Sequence, residues 1–206
     1  MPADLPIRPD PVWSRAKGER LWGGPEDHVE VTHRKALSQD KGTIALAFEL
    51  GRLPGTMALI GKDGHGRAPG EFTLWARDGT LHLSLEGEEE TESLKVPDVV
   101  LSPGLRYHLA ISFGREGVKI WLDGELAAAE PTFTGGIDGN SRDLLLGATR
   151  AWRHDDADMP HSQLTGWIGD VHLFDRELAA REVARLAGNS EASLSGHARA
   201  ALDMAA

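Results

Sequence analysis

Residues 105–126 read LRYHLAISFGREGVKIWLDGEL. Tyr107, Leu109, Ile111 and Phe113 alternate with His108, Ala110 and Ser112, and Val118, Ile120 and Leu122 alternate with Lys119 and Trp121. Successive side chains of a strand point to opposite faces, so an apolar period of two marks a strand with one buried face. Glycine breaks the two runs apart, and Asp123-Gly124 supplies the residue types that a tight hairpin turn demands. The stretch predicts two half-buried strands in a series of hairpins.

The same pattern extends outward in both directions. His28–His33 reads as a strand. Thr43–Leu50 places Ile44, Leu46, Phe48 and Leu50 on one face, and Met57–Gly61 follows as a third strand. After a long turn at 62–70, Glu71–Arg77 and Thr80–Glu86 form a hairpin across Asp78-Gly79. Arg142–Ala148 and Trp167–Phe174 complete the strands. The 24 glycines and 11 prolines fall between these short apolar runs, which suits an all-β fold rich in turns. The spacing predicts a sandwich of two antiparallel sheets. One short C-terminal helix is expected at 179–187 (AAREVARLA), with Glu182 where a capping box wants an acid and Gly188 as the stop. Residues 1–27 lack periodicity and read as an N-terminal arm that becomes ordered near Leu21 and Trp22. The sandwich then spans 28–187 and a tail spans 188–206. The acidic segment Glu86–Glu92 reads as a solvated hairpin end, since like charges repel and stay in water.

Composition narrows the function. A net charge of −10 repels phosphate, so nucleic acid and anionic membranes are poor partners. The absence of cysteine excludes disulfide scaffolds, zinc-thiolate sites and thiol nucleophiles. No run is apolar and long enough to span a membrane, and the opening residues lack the apolar segment of a secretory signal. Nine histidines occur without HExxH or a comparable zinc motif.

Five pieces in order resemble the laminin-G-like, concanavalin A-like jelly rolls: GGPEDHVEV (23–31), KGTIALAF (41–48), the hairpins of 105–126, DLLLGA (143–148), and LTGWIGDVHLFDREL (164–178) followed by a short helix. The resemblance implies a jelly-roll sandwich and a role in binding, with an extracellular or cell-surface setting. It also implies a structural calcium, to which Asp27 in the opening strand corresponds. Relatives often carry Asp where this chain has Gly169, so weak or absent calcium binding is expected at that position. Members that hydrolyse glucans use an E-x-D-x-x-E strand motif, and this chain has none. A retaining glycosidase needs two carboxyl groups about 5 Å apart, and the run Glu86-Gly87-Glu88-Glu89-Glu90 lacks the alternation of a buried strand.

The residues suggest where binding would occur. Phe72, Leu74, Leu81, Leu83 and Leu85 share the inward parity, so Thr73, Trp75, His82, Ser84 and Glu86 face outward. An indole beside hydrogen-bonding groups suits a sugar, whose C–H surface meets the ring and whose hydroxyls meet the polar groups. Trp121 has outward parity as well. Either indole can instead belong to a second small core. The long loop Thr149–Gln163 (TRAWRHDDADMPHSQ) adds Trp152 and His154 as ligand contacts, and Asp155, Asp156 and Asp158 as oxygen ligands for calcium. Asp138, Asn140 and Asp143 form another oxygen-rich turn, for which turn chemistry alone is a sufficient reason. The expected function is a non-catalytic module for carbohydrate or a glycosylated surface. The alternatives are a structural or protein-interaction subunit of a larger extracellular or phage-like assembly, and a polysaccharide-cleaving enzyme.

Overall fold

A computed structural model describes residues 10–64, 68–87, 91–97, 100–150 and 160–189. Two sheets pack face to face, and every named strand pair in them is antiparallel. The first contains β1 (Trp13–Arg15), β2 (Glu19–Trp22), β4 (Gly42–Leu50), β9 (Arg106–Phe113), β10 (Val118–Leu122), β11 (Glu125–Glu130) and β13 (Thr165–Phe174). Its order is β1-β13-β4-β9-β10-β11, with β2 also paired to β13. The second contains β3 (Val29–Val31), β5 (Thr56–Lys62), β6 (Phe72–Arg77), β7 (Thr80–Glu86), β8 (Thr91–Lys95) and β12 (Leu144–Leu146), in the order β3-β12-β5-β6-β7-β8. One helix, α1, covers Ala180–Asn189.

The alternation in the sequence is the alternation of the core. Ile44, Leu46, Phe48 and Leu50 meet Tyr107, Leu109, Ile111 and Phe113 from the first sheet, and Phe72, Leu74, Leu81, Leu83 and Leu85 from the second, in one continuous buried cluster. Each such side chain contributes roughly 1.5–3 kcal/mol by leaving water. The two Asp-Gly turns adopt left-handed backbone at both residues: φ is 50° and 81° at Asp78-Gly79, and 51° and 87° at Asp123-Gly124. That is the turn whose twist matches a right-twisted hairpin.

Three local expectations are corrected. Part of the N-terminal arm is strand: β1 pairs with Val171–Leu173 and β2 with Thr165–Ile168. Segments of three or four residues are too short to show a period, and they exist because β13 offers them an edge. Two further strands, β8 and β11, went unread because alternating apolar residues are sparse in them. The helix also continues through Gly188 to Asn189, so that glycine is not its stop. At the other end Glu182 accepts the Ala179 amide at 3.0 Å, as a capping box requires, and Arg176 binds the same carboxylate through two nitrogens. The hydrogen bond from Arg176 is the main reason its pKa falls to about 2.

The outer face of the first sheet is covered. α1 and its lead-in residue lay Leu178, Val183 and Leu186 over Ala45, Ala110, Trp121 and Phe174. Trp121 is therefore 8 % exposed. Outward parity put it on the far side of the sheet from the main core, and the helix then buried it as a second small core. Three strands away on the same sheet, Gly169 lies against the arm: a Cβ there would stand 2.5 Å from Gly18 Cα and 2.6 Å from the Trp167 ring. Gly169 thus has a packing reason, because β13 must let the backbone between β1 and β2 cross closely.

Two outcomes follow from these contacts. Gly169→Ala should lower stability by about 1–3 kcal/mol, the usual cost of overpacking, as measured by urea denaturation; an unchanged midpoint would contradict the close crossing. His108, 3 % exposed, faces the covered side. Burial and then the neighbouring His172 hold its pKa down at about 4, while Asp170 opposes them. The unfolded chain binds this proton near pH 6.5 and the folded chain does not. Stability conferred by neutral His108 is therefore complete above about pH 6.5 and is lost as pH falls towards 4, by about 3 kcal/mol in all. His108→Gln should flatten the drop in denaturation midpoint between pH 7 and 4.5 relative to the wild type. The buried carboxyls of the other sheet titrate alike in both proteins and cancel in that difference.

Candidate functional site

The second sheet presents a polar outer face. Leucines and Phe72 point inward along β6 and β7, so Thr73, Trp75, His82 and Ser84 point outward. Register sets them in rows: Trp75 opposite His82 and His82 opposite Lys95, then Thr73 opposite Ser84 and Ser84 opposite Ser93. The Trp75 and His82 rings stack with centroids 5.2 Å apart and planes 11° apart. Their outward parity is as the sequence predicted. The bare indole is not, since Trp75 is only 8 % exposed while His82 remains half-buried. Burial, then Arg77 and Lys95, lower the His82 pKa. Its neutral ring offers one donor and one acceptor.

The end of β5 fastens the loops that border this face. Lys62 is fully buried and donates through Nζ to Asn140 Oδ1 at 2.6 Å, to Asn140 O at 2.7 Å and to Ile137 O at 3.4 Å. Burial lowers its pKa to about 8, against the pull of Glu71 and Asp138. Asp63, the next residue, points to the opposite side. It accepts from the Thr73 hydroxyl, from Thr149 Oγ1 at 2.6 Å and from the Arg150 amide at 2.7 Å. Burial raises its pKa, and those three donors partly offset the rise. Asn140 Oδ1 also accepts the Arg142 amide at 3.0 Å, and its Nδ2 donates to Gly70 O.

Arg142 and Arg150 are thereby held by their own backbone. With Ser141 and Asp143 they line an open polar cleft of about 320 Å³. The Arg142 guanidinium lies against Gly64, where a Cβ would come within 2.3 Å of it, and reaches buried Glu71 at 3.8 Å. Burial raises the Glu71 pKa. Arg150 pairs with Glu30 on β3 at 2.7 Å. Asp63 joins the cleft to the Thr73 row, but the hydroxyls of that row are buried, so the partly open groups here are the two guanidiniums and the His82 imidazole.

The predicted site residues are not all brought together. Trp75 and His82 are neighbours; Trp121 lies across the sandwich under α1. Trp152, His154, Asp155, Asp156 and Asp158 lie outside the described residues. Asp27 accepts the amides of Trp22 and Gly24 through Oδ2 at 3.2 and 3.0 Å and so shapes a turn. Asp143 accepts the His33 amide at 2.7 Å, and the Lys62 ammonium sits on Asn140 where a cation would compete with it. Among the described residues no three histidine or carboxylate side chains converge to hold a metal ion. Sequence reasoning missed Arg142 and Arg150 as site residues, because nothing in SRD or TRA distinguishes an anchored arginine from a solvated one.

The sequence matches the Laminin_G_3 family, described as the concanavalin A-like lectin/glucanases superfamily, over residues 23–184. The chain belongs to that superfamily. No curated protein matches this lectin/glucanase-type chain in sequence. Solved structures share its fold at low identity. The Ruminococcus gnavus IT-sialidase CBM40 superposes with a TM-score of 0.66 at 17 % identity, covering 87 % of this chain and all (100 %) of that one. The NanB sialidase from Streptococcus pneumoniae gives 0.65 at 15 % identity, covering 84 % of this chain and 28 % of that one. The binding domain of Paraclostridial Mosquitocidal Protein 1 gives 0.61 at 12 % identity, covering 84 % and 47 %. The chain thus spans about a quarter of the sialidase chain and about half of the toxin chain.

Asp63 is the test of how these loops are held. Asp63→Ala should cost about 3 kcal/mol in chemical denaturation, because two buried hydroxyls and one amide lose their acceptor. A loss below about 0.5 kcal/mol would mean that the loops are fastened elsewhere.

Proposed function

We propose that this chain is a non-catalytic carbohydrate-binding module and that the outer face of its six-stranded sheet is the binding surface. The observation that carries the proposal is the open polar cleft with its two arginines, which Asp63 ties to Thr73 on the sheet face that also carries the half-buried His82 ring. Guanidinium groups donate hydrogen bonds in a fixed fork that matches sugar hydroxyls or a sugar carboxylate. The imidazole adds a donor and an acceptor, and its ring edge offers apolar surface. Both arginines are anchored through the main chain, and their side chains are restrained by Glu30 at 2.7 Å and Glu71 at 3.8 Å, which reduces the freedom lost when they engage a ligand.

The superfamily supports the reading, as does the fold shared with a CBM40 domain that has also been solved bound to α2,3 and α2,6 sialyllactose. The non-catalytic part is supported by the carboxylates around the cleft, which already have partners: Asp143 accepts the His33 amide, Glu30 pairs with Arg150, and Asp63 and Glu71 are buried.

On an array of immobilised glycans, the wild type should bind a discrete subset. Arg150→Ala and His82→Ala should each weaken that binding by about tenfold, corresponding to about 1.4 kcal/mol, with the far-UV spectrum unchanged. Binding equal to the wild type in both variants would move the site off this face. Turnover of any bound glycan would contradict the non-catalytic assignment.

A further inference from the structure

Trp22 is the most exposed large apolar side chain among the described residues, at 75 %. It is not a loose end. Its strand pairs with β13 at Thr165, the preceding Leu21 is buried in the core, and its amide is bonded to Asp27. The backbone on both sides therefore holds the indole out into water.

The surroundings of the ring are polar and ordered. Arg20 shares its face of β2, opposite Trp167, and binds Glu49 through two nitrogens at 2.6 and 3.4 Å. Arg106 reaches the same carboxylate at 3.6 Å and lies 4.0 Å over the Trp167 ring. Thr165, directly opposite Trp22, receives Arg52 Nε at 3.4 Å. The other exposed large apolar residues, Val12, Val100 and Leu126, are on other strands or loops.

We infer that Trp22 is a second glycan-contact site, in which the indole stacks on one sugar ring and the Arg20–Glu49 pair with Thr165 meets its hydroxyls. A stable protein interface needs about 800 Å² per partner with an apolar centre, and a single indole among ion pairs does not provide that centre. A sugar ring needs one aromatic face and a few fixed hydrogen-bonding groups. The inference rests on the carbohydrate-binding reading and adds to it a contact on the other sheet, beyond the arginine cleft.

The test compares the full chain with Trp22→Ala, Trp22→Tyr and Arg150→Ala on an array of neutral, sialylated and sulfated glycans. Melting temperature and acrylamide quenching of tryptophan fluorescence are followed alongside. Trp22→Ala should weaken binding by about fivefold or more without a change in melting temperature. Trp22→Tyr, which keeps an aromatic face, should recover most of it. Bound glycan should shield wild-type tryptophan from acrylamide. If Trp22→Ala binds as the wild type does while Arg150→Ala is weakened, the inference falls and the sheet-face reading stands. If the wild type retains no glycan, both fall. If sedimentation shows self-association that Trp22→Ala abolishes while glycan binding is intact, the indole is a protein contact and the inference is overturned. Should Trp22→Ala melt early, the tyrosine variant and the quenching decide.

Discussion

Two adjacent buried residues of opposite charge, Lys62 and Asp63, govern the geometry of the candidate site, and neither is bonded to the other. Strand alternation sends them to opposite sides of the sheet. Lys62 turns inward and holds the 137–140 turn through Ile137 and Asn140. Asp63 turns outward and holds Thr73 of β6 and the 149–150 segment. A buried charge is tolerated only when its hydrogen bonds are made. The cost of leaving either group unsatisfied therefore fixes the loops. Arg142 and Arg150 inherit their positions from this, since Asn140 and Asp63 bond their amides.

The two outer faces are built differently, for a reason that is also local. Small residues, Ala45, Ala47, Ala110 and Gly169, floor the outer face of the seven-stranded sheet, and short side chains admit a close cover. The helix packs over Trp121 on one side, and the arm crosses Gly169 on the other. On the six-stranded sheet the outward residues are mostly polar and largely buried, Thr73 and Ser84 among them, and the groups left partly open are the His82 imidazole and the two guanidiniums of the cleft. The open cleft of Arg142 and Arg150 offers a place for a ligand, and the indole at the edge of the sealed face, Trp22, is the exception that suggests a second one.

Much of the fold was legible in the sequence. Alternation in 43–50, 71–86 and 105–122 located the core residues, and the Asp-Gly pairs located two turns, because both signals report backbone geometry directly. Strands β1 and β2 were not legible, since they are defined by the edge of β13 rather than by their own residues. The site was legible only in part. Parity placed Trp75 and His82 side by side on the outer surface but carried no information on what covers a ring, so it treated Trp75 and the helix-covered Trp121 alike. The arginines were hidden because their roles come from amide contacts to Asp63 and Asn140, residues 87 and 2 positions away along the chain.

Amide chemical-shift mapping during a titration with a glycan that the chain retains bears most directly on the central claim. Binding at the six-stranded face predicts saturable shifts at Thr73, His82, Ser84, Arg142 and Arg150, with the amides of β10 and α1 unmoved. Shifts confined to β9, β10 and α1 would contradict it, because they would place the ligand on the face that the helix seals.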